Sequence, residues 1–393
     1  MRKIDLSDFQ VASSETARDI NRRILLNLIR RHQPLSRADL ARRSGLKRNT
    51  VSVIVEQLIA EQWIFEGALG RSIRGRRPTF LHLNGNRAGV VGVDLRPNTT
   101  TIGLANLEFK FLALESMQTG ADPQKCIHEL GRRIRQLTAD HPGIQYEAIG
   151  ISLPGRADLN THELVFAPNL GWGRVDLKTP LEKATGLPVE LENAANACAL
   201  AELWSEKHHE SVRNLVAVTV SEGIGVGMVI NGQLVRGATG LAGEFGHVVL
   251  DENGPECTCG NRGCWEVCGS NAAGVRYYQQ ALNSRKRITF ADLLDLAQQK
   301  DRRALHALER MGHWIGVGLA MLLTGLEPEL VIVIGSVTRA WEHVGPAIHS
   351  ALQSRLPTRP KVRLLPTDPQ TEPRLRGTIA LALEKHFAAP MLA

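Results

Sequence analysis

No stretch of this chain stays apolar for the roughly 20 residues that a membrane span needs. The longest run, 315–326, is stopped by Glu327, Pro328 and Glu329, so insertion into a bilayer is not expected. The first ten residues alternate charge and hydrophobe and hold no apolar core of the kind an export signal carries, which predicts a cytoplasmic protein. Low-complexity tracts are absent too. With 43% hydrophobic and 22% charged residues the composition is that of an ordinary globular protein, and disorder is not the default. Cysteine is scarce at six residues, yet four of them crowd between 257 and 268. In a reducing compartment that crowding favours a metal over disulfides.

The chain has 393 residues, which suits two or three domains, each able to bury its own core. The formal charge of +7 is unevenly spread, because residues 1–87 hold 17 Lys and Arg against 8 Asp and Glu, a net of +9. The remainder is close to neutral. A basic module joined to a near-neutral one is the footprint of a nucleic-acid-binding domain attached to a sensor or enzyme.

Within the basic module, Ile20, Ile24, Leu25, Leu28 and Ile29 recur at helical spacing over 19–31, with arginines on the opposite face. After Pro34, Ser36 is placed to cap a second short helix, with Asp39 at its third position and Gly45 at its end. A third helix is predicted to start near Lys47 and to turn Val51, Ile54, Val55, Leu58 and Ile59 inward. Its exposed first turns then carry Lys47, Arg48, Asn49, Thr50 and Ser52, residue types that reach phosphates and base edges. Helix, short helix, glycine turn, helix is the helix-turn-helix plan, and Ser36 and Arg37 are the candidate contacts from its second element. Residues 63–84 read as two short strands around a glycine-rich loop, a wing. Its Arg74, Arg76 and Arg77, next to Gly75 and Pro78, form a cationic hook suited to a narrow minor groove.

Beyond residue 85 the pattern changes. Strand signals at 88–107, at 148–155 and at 214–235 alternate with helical stretches near Leu200 and over 311–326, so an α/β region is expected. The pattern occurs twice, which suggests two lobes with a cleft. His247, Cys257, Cys259 and Cys264 supply four soft donors, the number that closes a tetrahedral site around a structural ion. The C-x-C-x4-C spacing differs from the common C-x2-C knuckle. Cys268 could compete as a ligand, though a buried free thiol is the reading preferred for it, as for Cys126 and Cys198.

The stretch SEGIGVGMVINGQLVRGATGLAGEFGH at 221–247, followed by the cysteine cluster and Trp265-Glu266, resembles the ROK family of sugar kinases and sugar-responsive repressors. The resemblance covers essentially the whole chain, because the family's repressor branch also starts with a winged helix-turn-helix and a basic hook. It implies an α/β fold in which the winged helix-turn-helix of 1–85 precedes a two-lobed, actin- and hexokinase-like domain. The small lobe would hold 86–192 plus 374–393, and the large lobe 193–373 with a structural zinc site.

The resemblance also implies sugar-hydroxyl ligands at Gly155, Asn169, Asn193, Glu244, His247 and Glu266, with Arg156 as an added contact. Carboxylates accept from pyranose hydroxyls while amide and imidazole groups give direction, so the set makes chemical sense by itself. His247 would bind zinc through one ring nitrogen and aim the other at the sugar.

A kinase of this family needs an aspartate base and glycine-rich phosphate turns. Here the family's ENDAN motif reads ENAAN, with Ala194 at the base position. The first phosphate turn reads Asp94-Leu95-Arg96-Pro97-Asn98-Thr99, with arginine and proline in place of glycines, and the later one keeps only Gly335. The expectation is therefore a non-enzymatic repressor that answers to a monosaccharide or sugar phosphate and binds a double-stranded operator. A homodimer or tetramer is implied, and some relatives take a phosphotransferase-system protein as their signal. An active kinase with a fused DNA-binding domain and a partner-docking protein that senses no sugar are the other readings. The amphipathic stretch 374–387, with Ala380, Leu381, Leu383 and Phe387 inward, is expected to pack near the DNA module.

Overall fold

The computed structural model describes residues 14–69, 78–158, 161, 163–205, 212–283, 287–356 and 361–387. The hook residues Arg74, Arg76 and Arg77 lie outside these.

The N-terminal module holds α1 (Ser14–His32), β1 (Leu35–Ser36), α2 (Arg37–Ser44), α3 (Arg48–Ala60), β2 (Ile64–Leu69) and β3 (Thr79–Leu83). Its start and stop signals act as the sequence suggests. Ser36 and Asp39 form a reciprocal capping box, and Gly45 ends α2 in the left-handed region at φ 73°, where a Cβ would be strained. The wing is the antiparallel pair β2 and β3, with β1 on its other edge.

The small lobe follows: β4 (Ala88–Leu95), β5 (Thr99–Asn106), β6 (Phe111–Gln118), α4 (Pro123–Ala139) and β7 (Gln145–Leu153). It continues through β8 (Arg156–Ala157), β9 (Glu163–Phe166), β10 (Val175–Asp176), α5 (Lys178–Thr185) and β11 (Val189–Asn193). Next come α6 (Ala194–Trp204), β12 (Leu215–Val220), β13 (Ile224–Ile230) and β14 (Gln233–Leu234), then a 3-10 turn at Glu244–His247. The large lobe is completed by α7 (Trp265–Gly269), α8 (Asn271–Leu282), α9 (Phe290–Gln298), α10 (Arg302–Leu326), β15 (Leu330–Ile334), α11 (Trp341–Arg355) and β16 (Arg363–Pro366). Helix α12 (Pro373–Phe387) ends the described chain.

Both lobes use one plan. The sheets run β11-β7-β4-β5-β6 and β14-β13-β12-β15-β16, so in each the first strand sits centrally, antiparallel to the second and parallel to the fourth. β4 is buried along its whole length, as a central strand covered on both faces must be. Helix α6 packs on β12 and β13, and α12 packs on β4 and β7.

The N-terminal module is not a bead on a string. One continuous core joins Leu25, Leu40 and Leu58 of its helices to Val90 and Leu107 of the small lobe and to Leu383 and Phe387 of α12. Ala380, Leu381, Leu383 and Phe387 are all buried, on the inward face that their spacing predicts. Trp63 packs against His386 with the rings tilted and their centroids 4.9 Å apart, and the Asn27 amide donates to the Phe387 carbonyl at 2.6 Å. Both ends of this contact belong to elements that anchor in different parts of the chain.

Candidate functional site

Between the two sheets lies a cleft of about 150 Å³, and its lining includes Gly155, Arg156, Asn169, Asn193, Glu244, His247 and Glu266. The structure thus brings together residues that stand as much as 111 positions apart in the chain, all seven of the expected ligand set. Ala194, Ser221, Glu222, Gly223 and Arg374 complete the parts of the wall that matter for its chemistry.

Asn193 ends β11 and caps α6. Its Oδ1 accepts from the Ala195 backbone N–H at 2.7 Å, and its Nδ2 donates to the Gly155 carbonyl at 2.8 Å. One lone pair and one proton of this amide remain for a ligand. Behind it, Glu192 is buried and accepts from Asn196 and from Arg236 at 2.9 and 2.7 Å, which fixes the strand end.

Glu266 enters from the first turn of α7, where its Oε2 accepts from the Ile224 backbone N–H at 3.2 Å. Burial raises its carboxyl above the ordinary range, against the lowering effect of His247 and of that N–H. Gly223 makes the approach possible, since a Cβ there would stand 2.2 Å from Glu266 Oε2. Glu244 and His247 share one 3-10 turn, which sets the two side chains on one side, with Glu244 Oε2 3.8 Å from His247 Nε2.

The other nitrogen of His247 faces away from the cleft, with Nδ1 3.6 Å from Cys257 Sγ. The donor atoms of His247, Cys257, Cys259 and Cys264 all lie within 4.8 Å of one another. Cys259 and Cys264 sulfurs are 3.6 Å apart. The two 3.6 Å separations lie within the roughly 3.5 to 3.8 Å edges of a tetrahedron with ~2.0 Å nitrogen and ~2.3 Å sulfur bonds, and the four donors are of the kind that suits a metal ion. The Asn261 backbone N–H brings the Cys259 thiol down to about 7, whereas burial pushes the Cys264 thiol up to about 12. A cation among them would hold both as thiolates. Cys268 is buried with its Sγ 3.8 Å from the Gly263 carbonyl, outside the four, and Cys126 and Cys198 are buried thiols as well.

Where a phosphate turn would need open backbone amides, this chain builds a clasp. Asp94 is fully buried and accepts from Ser152 Oγ at 2.7 Å and from Arg96 Nε at 2.6 Å. Arg96 also reaches Glu372 at 3.3 Å, and its carbonyl accepts from Thr119 Oγ1 at 2.6 Å. Pro97, the next residue, has no N–H to offer. Ala194 is the first residue of α6 and presents only a methyl group to the cleft.

On the N-terminal module, Lys47, Arg48, Asn49, Thr50 and Ser52 are all exposed along the first turns of α3. Ser36 and Arg37 stand differently. The Ser36 hydroxyl is buried in the capping box, and Arg37 is ion-paired to Glu56 at 2.6 Å and to Glu66 at 3.2 Å. Capping and pairing thus occupy two groups that the sequence pattern alone offers to DNA. Ser221, Gly223 and Arg374 escaped the sequence reading. Gly223 could have been found, as a glycine inside the strand signal of 214–235, but nothing local ties Arg374 to Ser221, 153 residues away.

A profile of the ROK family matches residues 90–385, and one for winged helix-turn-helix DNA-binding domains matches residues 18–64. Over 353 residues the sequence is 34% identical to the xylose repressor of Bacillus subtilis (strain 168), covering 88% of this chain and 90% of that protein. The crystal structure of a ROK family transcriptional regulator homologous to the E. coli MLC protein superposes with a TM-score of 0.81 at 25% identity, covering 95% of this chain and 98% of the other. A ROK family glucokinase from Streptomyces griseus in complex with glucose and AMPPNP gives a TM-score of 0.68 at 28% identity, over 76% of this chain and all of that one. The regulator match extends through the N-terminal module, and the glucokinase match does not reach as far along the chain.

Proposed function

The chain belongs to the ROK family, and from that premise we propose that it is a sugar-responsive, DNA-binding transcriptional repressor whose sensor domain binds a sugar without phosphorylating it. The observation that carries the reading is a hydroxyl-binding cleft without a base, joined by a shared core to a winged helix-turn-helix.

Glu244 and Glu266 accept from sugar hydroxyls, while Asn193, Asn169 and His247 donate or accept according to the hydroxyl they meet. Gly155 and Arg156 close the opposite wall. A structural zinc held by His247, Cys257, Cys259 and Cys264 would supply rigidity and no chemistry at the sugar. Binding through Nδ1 leaves the His247 proton on Nε2, so the metal fixes both the tautomer and the aim of a ligand-facing group. Ala194 has no proton affinity, and loss of a general base alone costs roughly 10²- to 10⁴-fold in rate. The Arg96 clasp and Pro97 remove the phosphate cradle as well. An active kinase is therefore not favoured.

Signal passage has a candidate route in α12. Arg374 at its start lines the cleft and donates to Ser221 of the large lobe at 3.3 Å, whereas Phe387 at its end packs on Trp63. Lobe closure around a sugar would move one end of a helix about 22 Å long, and with it the module that carries α3. A two-fold operator read by paired modules calls for a homodimer or tetramer, and a phosphotransferase-system protein is a further candidate signal.

The test is an operator titration with purified protein across a panel of monosaccharides and their phosphates. Xylose comes first, because a relative aligned over 88% of the chain is a xylose repressor. A shift in DNA affinity of roughly 5- to 150-fold with one sugar is expected. Operator affinity that stays flat across the panel at saturating sugar, or sugar-dependent release of ADP from ATP, would overturn the reading.

A further inference from the structure

The outward face of α3 divides sharply. Toward its C-terminal end, Gln57 and Glu61 are held by Arg18 and Arg22 of α1, and Glu56 is held by Arg37 of α2. Toward its start, Lys47, Arg48, Asn49, Thr50 and Ser52 are exposed and make no side-chain hydrogen bond or ion pair with the described residues. Between the two groups stands Val53, with 57% of its surface open to solvent. Val51, Ile54, Val55 and Leu58 are buried. At roughly 3.6 residues per turn the direction opposite that buried stripe falls on Asn49, Val53 and Glu56. A branched apolar side chain therefore sits at the centre of a face whose neighbours are otherwise polar.

Resting on the DNA-binding reading above, we propose that Val53 is a specificity residue that reads the 5-methyl group of a thymine in the major groove. That methyl is the apolar group which the major-groove edge of a base pair displays, and an aliphatic side chain is its complement. Valine suits the task physically. In a helix its χ1 is held almost wholly in one rotamer, so its methyls are already fixed and little side-chain entropy is lost on contact. Asn49 lies one turn before it on the same face and has the amide geometry to pair with adenine N6 and N7. The two together select for an A·T-containing step within each half-site.

The test uses the full-length protein and works for an operator of any sequence. The tightest duplex is selected from a random pool, and each thymine in it is replaced singly by deoxyuridine, which removes the methyl and nothing else. At one thymine per half-site, wild type is expected to lose about fourfold in affinity, the worth of one buried methyl group. Val53→Ala is expected to show no loss at that thymine while keeping the wild-type response at all others. A thermal melt matching wild type confirms that the variant is folded. The proposal is overturned if no thymine methyl matters to wild type, or if Val53→Ala loses as much as wild type at every thymine. Failure of every duplex to bind would remove the DNA-binding reading itself, and this inference with it.

Discussion

In each lobe the first strand runs into the cleft between an antiparallel second strand and a parallel fourth one, β4 ending at Leu95 and β12 at Val220. The turns that follow have diverged. The large-lobe turn keeps Gly223, which leaves room for the Glu266 carboxylate beside it. In the small-lobe turn, Arg96 and Pro97 stand where open amides would hold a phosphate, and Arg96 is tied to Asp94 and Glu372. One scaffold therefore carries one turn adapted to ligand contact and one locked by ion pairs. Because the sheets and the two helices packed on them carry the fold, a turn can change its chemistry without disturbing the frame. Each sheet is covered by one of two helices that also pack on each other, α12 on the small-lobe sheet and α6 on the large-lobe sheet, and glycine permits the helix–sheet contact in both. A Cβ at Gly150 of β7 would meet the Thr378 carbonyl of α12 at 2.1 Å, and one at Gly227 of β13 would meet the Ala195 carbonyl of α6 at 2.2 Å.

Breaking the frame should have the largest effect. Where α12 crosses α6, a Cβ at Gly377 would stand 1.8 Å from the Ala197 carbonyl, which a rigid helix backbone cannot vacate. Gly377→Ala gains about 1 kcal/mol of helix propensity, yet overpacking should leave it about 2 kcal/mol less stable than wild type. Gly325 of α10 has nothing within 4 Å of its would-be Cβ and is the matched control. Denaturant unfolding of the two variants checks this, with Gly325→Ala expected at or slightly above wild-type stability.

Disturbing the large-lobe site comes next. With zinc held as proposed above, chelation or Cys264→Ser would release His247 from its fixed orientation, and sugar affinity should fall roughly 10- to 100-fold. Operator binding without sugar should persist, because the cluster lies outside the core that joins α1, Trp63 and α12. Sugar titrations before and after chelation measure the difference, and equal loss of both activities would contradict a local role. Glu266→Gln keeps the shape of the side chain but removes its charge. A hydrogen bond to a charged group is worth about 1.5 to 3 kcal/mol, so about tenfold weaker sugar binding is expected at the low end of that range. Calorimetry with the sugar that wild type answers to is the check.

Much of this arrangement was legible in the chain before folding. Capping at Ser36 and Asp39, the stop at Gly45 and the inward stripe of α3 are local, and local signals survive into the structure. The repetition of strand patterns pointed to two lobes because topology follows periodicity. Long-range partners were less accessible. Arg37 is a candidate DNA contact in the chain, and only the fold brings Glu56 and Glu66 beside it. Arg96 looks like a mere loss of glycine until Glu372, 276 residues later, is seen to accept from it. Arg374 had no signal at all, since its place in the cleft is set by how α12 docks on the small-lobe sheet.

The smallest expected effect tests the comparison of the two turns most directly. Ala194→Asp restores a carboxylate at the head of α6, where a base for the sugar hydroxyl would stand. If the missing base were the whole difference from a kinase, this change should give sugar-dependent ADP release. The small-lobe turn argues otherwise, because phosphoryl transfer depends almost entirely on positioning and on charge stabilisation around the phosphates. Arg96 is already held by Asp94, whose other oxygen is taken by Ser152, and Pro97 donates nothing. The variant should therefore show no turnover above background. Turnover that appears with Ala194→Asp alone would mean that the clasp opens for nucleotide, and the two turns would then be more alike than their resting structures suggest.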